Sequence, residues 1–259
     1  MRQFAHVTSH DLREPLRNIS SFATLLSRKY AELLDKEGGE YLGFITTGVR
    51  KMDRLLNDLL TYSVVGVFDH EYSQVDIGRT IADIMRRLQQ NKATQGARIA
   101  LKDLPVIKAN SQQMDQLFTQ LIDNAIKFRD PARKPEIVIR SEARDQGYVF
   151  SVSDNGIGMD KAYKDKIFAL FLRLHNQQSA YEGSGIGLSI VKKIVEQHEG
   201  KIWIESEVGK GTTVFFFLPK DPPKDATPDH VRDRWQWLQE DTQPDQRKTG
   251  EIVASVSDE

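Results

Sequence analysis

From Phe4 to about Leu34 apolar residues return every three or four positions, at Phe4, Val7, Leu12, Ile19, Phe22, Leu26 and Leu33. That spacing predicts a helix with one buried stripe. The stretch LDKEGGEY interrupts it, and Gly38 with Gly39 reads as a helix stop. A second run, Tyr41, Ile45, Val49, Met52, Leu56, Leu59 and Ser63, keeps close to a heptad register. Two long helices joined by a short turn make a hairpin, and neither can bury its stripe fully against the other. Pairing of two hairpins into a four-helix bundle meets that need, so a homodimer is expected.

Beyond TYSVVGVFDHEYSQVD the period is mixed. It predicts a short strand near Tyr72–Val75, a helix from Ile77 to about Gln90, a strand at Arg98–Lys102 and a helix from Gln112 to Phe128. Strands at Glu136–Ala143 and Tyr148–Ser153 follow, then a glycine-rich segment, a helix at Gly187–His198, and a closing hairpin of Lys201–Glu205 with Thr212–Leu218. Helices grouped with a mostly antiparallel sheet indicate a two-layer α/β sandwich, so the whole chain is expected to be α+β. The divisions read as 1–68 for the hairpin, 69–220 for the sandwich and 221–259 for a charged, proline-led tail. Within that tail Val231–Leu238, with Trp235 and Trp237, is expected to form a short docking helix.

Composition narrows the chemistry. The 259 residues carry a net charge of −1 and no cysteine, which excludes thiolate nucleophiles and Cys-ligated zinc and agrees with a cytoplasmic location. No apolar run approaches the ~20 residues of a membrane span, and near-zero charge gives no electrostatic reason to expect nucleic acid.

Three segments of the sandwich point to one ligand. DNGIGM, Asp154–Met159, sets a carboxylate at a strand end before Gly156 and Gly158, which let backbone approach a ligand. GSGIGLSIVKKIV leads through Gly183, Gly185 and Gly187 into a helix, whose first free N–H groups favour phosphate. QLIDNAIKF places an amide, Asn124, and an ammonium, Lys127, on adjacent helical turns. GKGTT at Gly209–Thr213 mimics the end of a P-loop but lacks its upstream glycine, and reads as a hairpin turn.

The order NAIKF, DNGIGM, IFALFLRLH, GSGIGL, preceded by SHDLREPL, closely resembles the catalytic core of sensor histidine kinases. It resembles the branch often attached to phytochrome-like and other PAS-linked sensors, over roughly Phe4 to Pro219. The resemblance implies that His10 is the phosphoacceptor, on the solvent-facing flank of the bundle. A neutral imidazole is nucleophilic near pH 7, and Asp11 beside it can fix the tautomer and stabilise the positive charge that develops. Pro15 lacks an N–H and clashes with the carbonyl of residue 11, so a bend or loosened turn is expected there. His6, four residues before His10, has no third partner for a metal and reads as a surface neighbour.

By the same resemblance Asp154 accepts the adenine amino group of ATP, Asn124 coordinates Mg2+ and Lys127 lies near the phosphates. Gly156 and Gly158 shape the pocket floor, and Gly183, Gly185, Gly187 and Leu188 line its phosphate end. Asp160–Glu182 resembles the mobile ATP lid, anchored by Phe168 and Phe171, with Arg173 and His175 as phosphate contacts. The implied partner is the receiver domain of a response regulator, and any sensor domain is absent from this sequence. Gln120 stands where the family commonly has Asn, keeping the amide on a longer arm. Glu14 stands where several such kinases place a water-orienting Thr or Asn, so phosphatase activity does not carry over. Gyrase-type and Hsp90-type ATPases share the ATP-binding fold, but they typically carry Glu at the place of Gln120 and lack the H box of His10. A non-catalytic dimeric scaffold is the remaining alternative, and intact DNGIGM and GSGIGL argue against it.

Overall fold

A computed structural model of the chain describes residues 2–65, 72–89, 97–172 and 183–221, with backbone only at 2–12, 64 and 89. Helices α1 (Arg2–Lys29) and α2 (Lys36–Val64) form the hairpin. Ala23 and Val49 are buried within it, and Arg13 on α1 hydrogen-bonds Asn57 on α2, which fixes the register of the pair. The turn differs from the glycine stop expected from sequence. α1 closes at Lys29 through Leu33 and Leu34 N–H bonds to the Tyr30 carbonyl, and Gly38 and Gly39 lie inside α2. The cause is Asp35, whose carboxylate caps α2 by accepting the Gly38 N–H at 2.8 Å. α1 remains helical through Pro15.

One apolar stripe of the hairpin stays uncovered, with Phe22 66% and Phe44 72% exposed and Ile19, Leu26, Ile45 and Met52 beside them in exposure. An exposed apolar stripe of that length marks an interaction face.

The second part alternates strands and helices: β1 (Ser73–Asp76), α3 (Ile77–Gln89), β2 (Arg98–Lys102), β3 (Val106–Ala109), α4 (Ser111–Lys127), β4 (Glu136–Arg144), β5 (Gly147–Asp154), α5 (Gly187–Gln197), β6 (Lys201–Glu207) and β7 (Gly211–Pro219). Strands β2, β4, β5, β7 and β6 lie in that spatial order, antiparallel except for the parallel β2–β4 edge. β1 pairs with β3 as a separate ribbon, a strand that the sequence reading left out.

Helices α3, α4 and α5 cover one face of the sheet. Strand alternation turns Phe150, Val152, Val214 and Phe216 toward them, and α4 answers with Met114, Leu117, Phe118 and Ile122, all buried. Phe150 and Phe216 stack at 5.1 Å, and Phe118 meets each edge-on at 6.1 and 5.8 Å. The start of α4 is pinned to the end of α5. Buried His198 bonds the Ile194 carbonyl through Nδ1 at 2.9 Å and accepts the Asn110 N–H at Nε2 at 3.3 Å. Asn110 in turn caps α4 by accepting the Gln113 N–H at 2.8 Å. These contacts hold the two helices whose opposite ends frame the cavity described next.

Candidate nucleotide site

Between α4, α5 and the ends of β5, β6 and β7 lies a cavity of about 420 Å³. Its floor is Asp154, which shares strand parity with Phe150 and Val152 and so points to the helix side of the sheet at the end of β5. One carboxylate oxygen, Oδ1, accepts the Gly156 N–H at 2.8 Å and the Thr212 N–H at 3.2 Å. No protein partner of Oδ2 is found among the described residues, which leaves an oriented acceptor for a ligand's N–H. Burial pushes the Asp154 carboxyl up from the usual carboxylate range, and the two backbone N–H groups oppose that rise. Ile157, Met159, Ile204 and Val214 give the same end of the cavity apolar walls that suit a planar base.

The loop after Asp154 folds tightly. Gly158 has φ +65°, and a Cβ there would sit 2.0 Å from the Glu207 carbonyl oxygen. Only glycine tolerates both conditions, so Gly158→Ala should lower stability by at least about 2 kcal/mol, read as a shifted urea midpoint with an unchanged slope.

The opposite end is polar. Gln120, Asn124 and Lys127 succeed one another at i, i+4 and i+7 along the half-buried edge of α4 and line the cavity together. Gly183, Gly185 and Gly187 face them from the entry to α5. A Cβ at Gly183 would come 2.1 Å from Lys127 Nζ, and one at Gly187 would come 2.6 Å from Gln120 Oε1. The glycines thus clear space against an ammonium and two amides, a cradle fitted to phosphate and to a hard cation with oxygen ligands. The donor set suits ATP end to end, and the Asn124 and Gln120 side chains offer amide oxygens of the kind a hard cation such as Mg2+ takes.

Leu188, also in the cavity wall, stands at the first turn of α5. Phe168 packs against the core, whereas Phe171 is 54% exposed with a left-handed φ of +63°, its backbone close to Gly185. Ile167 and Leu172 line the cavity in its place. Arg173 and His175, like Trp235 and Trp237, lie outside the described residues. His10 and Asp11 are set on α1, where the backbone alone is described.

Two contributions escaped the sequence reading. GKGTT is a hairpin turn, as its pattern indicates, yet Thr212 on its far side donates to Asp154. In addition, α2 of the hairpin borders the cavity through Arg54, Asn57 and Asp58. This closeness is held by a seam in which Lys193 of α5 donates to the Tyr62 carbonyl at 2.6 Å and stands 4.4 Å from the Tyr62 ring centre. Burial in that seam pulls the Lys193 ammonium below its usual value. Among the described residues no helix is long and apolar enough to cross a membrane.

Residues 1–65 match the family described as His Kinase A (phospho-acceptor) domain, HisKA, and residues 109–222 match HATPase_c, the histidine kinase-, DNA gyrase B- and HSP90-like ATPases. The chain is 41% identical over 219 residues to cyanobacterial phytochrome A of Nostoc sp., covering 85% of this chain and 28% of that protein. It is 39% identical over 222 residues to the phytochrome-like protein Cph1 of Synechocystis sp., covering 85% and 29%. The chain therefore spans less than a third of the length of these curated relatives. Full-length ShkA in complex with AMPPNP superposes with a TM-score of 0.64 at 24% identity, over 88% of this chain and 47% of that one. The Acinetobacter baumannii histidine kinase AdeS superposes at 0.58 and 19% identity, over 82% and 98%. These structural likenesses establish the shared fold.

Proposed function

Since this chain is a sensor histidine kinase catalytic core, we propose that it phosphorylates His10 from ATP and passes the phosphoryl group to a response-regulator receiver domain. In this reading residues 1–68 carry the phosphoacceptor, 69–220 bind ATP and 221–259 form a tail. The observation that carries it is the oriented Asp154 carboxylate at one end of a single cavity whose other end holds Lys127 and the glycine cradle.

Asp154 Oδ2 accepts the adenine amino group, Lys127 faces the phosphate oxygens, and the first turn of α5 offers them its N–H groups. Asn124 would hold Mg2+, which would supply neutralisation of charge on the phosphates. Transfer forms a bond from an imidazole nitrogen of His10 to the γ-phosphorus as the bond to the bridging β,γ-oxygen breaks, and ADP leaves. Asp11 stabilises the positive ring that results. In the second step the N–P bond breaks while a receiver aspartate oxygen takes the phosphoryl group. Such chemistry is mostly positioning and charge neutralisation. Gln120 at the place of a catalytic Glu favours transfer over the hydrolysis of gyrase-type relatives. A cytoplasmic site of action agrees with the need for ATP.

The test is incubation with ATP radiolabelled at the γ position, followed by addition of a purified receiver domain. The label should be acid-labile and base-stable on the chain, then move to the receiver. Two solved relatives bear on the reading: ThkA was crystallised with the response regulator protein TrrA, and ShkA with AMPPNP.

The active unit is proposed to be a homodimer that pairs the exposed hairpin stripes into a four-helix bundle. Ile45→Asp, which puts a charge on that stripe, should give monomers by light scattering while the sandwich keeps its nucleotide affinity. A dimer of unchanged mass would remove the stripe from the interface.

A further inference from the structure

We propose that Arg133, in the loop between α4 and β4, is a positioning residue that sets the preference of the cavity for adenine. The proposal rests on the ATP reading above and deepens it.

The two N–H groups that aim Asp154 come from separate segments, Gly156 in the loop after β5 and Thr212 at the start of β7. The β5–β7 ladder sets Thr212 beside Asp154, but Gly156 lies beyond the strand end, in the loop. Arg133 ties that loop to the β6–β7 turn with one nitrogen: Nη2 donates to the Gly156 carbonyl at 3.1 Å and to the Gly209 carbonyl at 2.7 Å. Its Nε donates to Asp130 at 3.0 Å, which holds the guanidinium plane in place. The clamp is reinforced where Gly209 N–H donates to the Ile157 carbonyl at 2.7 Å and Ile157 N–H to the Phe128 carbonyl at 3.0 Å. Arg133 does not line the nucleotide cavity, so its effect passes through the loop and turn that carry Asp154's donors.

Loss of the clamp frees the Gly156 loop from the β6–β7 turn, and Oδ1 keeps the ladder-held Thr212 donor but loses the fixed placement of the Gly156 donor. The carboxylate rotates, and its Oδ2 no longer meets an exocyclic amino group at one defined point. Hydrogen bonds from a cation are among the stronger ones, and their removal at a recognition carboxylate affects a base that donates there more than one that does not. Adenine donates at that position; guanine presents a carbonyl. Arg133 thus acts on discrimination between nucleobases rather than on phosphate binding.

The experiment is equilibrium binding of ATP and of GTP to the full chain, by calorimetry, for wild type, Arg133→Ala and Arg133→Lys, each checked by thermal melting. The wild-type chain should prefer ATP. Arg133→Ala should weaken ATP binding on the order of tenfold and leave GTP binding within a factor of about two, while Arg133→Lys, which keeps one cationic donor, should restore part of the preference. If ATP and GTP weaken in parallel, or the ratio stays at the wild-type value, Arg133 has no positioning role although the pocket reading stands. If the wild-type chain binds ATP no better than GTP, the adenine reading of Asp154 fails and the proposal with it. A lowered melting temperature with an unchanged ratio also overturns it, because a purely structural role would produce that result.

Discussion

Replacing His10 with Gln should abolish the acid-labile phosphate that accumulates on the chain, leaving ATP affinity as in the wild type. Gln keeps polarity and helix propensity but has no lone pair able to attack phosphorus at neutral pH. His10 belongs to α1, whereas the proposed ATP donors come from α4, α5 and the sheet, so binding and transfer should separate cleanly. The nucleophile in this proposal is the neutral ring. Asp11→Asn should bind ATP normally and transfer more slowly by roughly 10²–10⁴-fold, because charge stabilisation in the transition state is removed. Undiminished labelling in His10→Gln would place the phosphoacceptor elsewhere.

Asp154→Asn should remove measurable ATP binding while the dimer persists. The two backbone N–H groups that converge on Oδ1 hold the residue in one orientation, and an amide in that orientation can set its own N–H against the adenine amino group. Mismatched buried donors cost about 1–3 kcal/mol each, more where the lost partner was charged. The pH dependence of the wild type follows from the same carboxylate. Burial raises its pKa above the ordinary value of 3.8, so the folded, ligand-free chain binds a proton more readily than the unfolded one. Protonation at this site therefore favours the empty fold: its stabilising contribution is present below the ordinary carboxylate value and is lost as pH rises through the raised one. ATP binding runs the opposite way, since it needs the ionised acceptor, and affinity should drop as pH falls into that window. Calorimetry across pH checks both signs. A residual pH step of equal size in Asp154→Asn would assign the titration to another group.

The parts of this site that sequence disclosed are those carried by local periodicity. Gln120, Asn124 and Lys127 repeat at helical spacing, and Asp154 ends an alternating strand, so their faces follow from their positions. What sequence withheld depends on segments distant along the chain. The β3 strand is four residues long and gains its identity only by pairing with β1, more than thirty positions earlier. The Thr212 N–H reaches Asp154 across 58 positions, and Arg133 reaches Gly209 across 76. Phe171 misled because aromatic residues suggest anchors, whereas it is more than half exposed on a left-handed backbone. Gly38 and Gly39 misled in the same manner, since a capping Asp35 one turn earlier outweighs the tendency of glycine to end a helix.

The seam between Lys193 and Tyr62 bears on how the reaction scales with dilution. Seven residues separate Val65, at the end of the hairpin, from Ser73, where β1 begins. The seam ties the hairpin to the cavity within one polypeptide, so the proposed phosphate donor site and the hairpin meet at an effective concentration that dilution does not change. Free imidazoles or stray histidines of other proteins must reach comparable concentrations to compete for the γ-phosphoryl group. On the proposed reading, labelling per chain should therefore stay constant on dilution, down to the concentration at which paired hairpins separate.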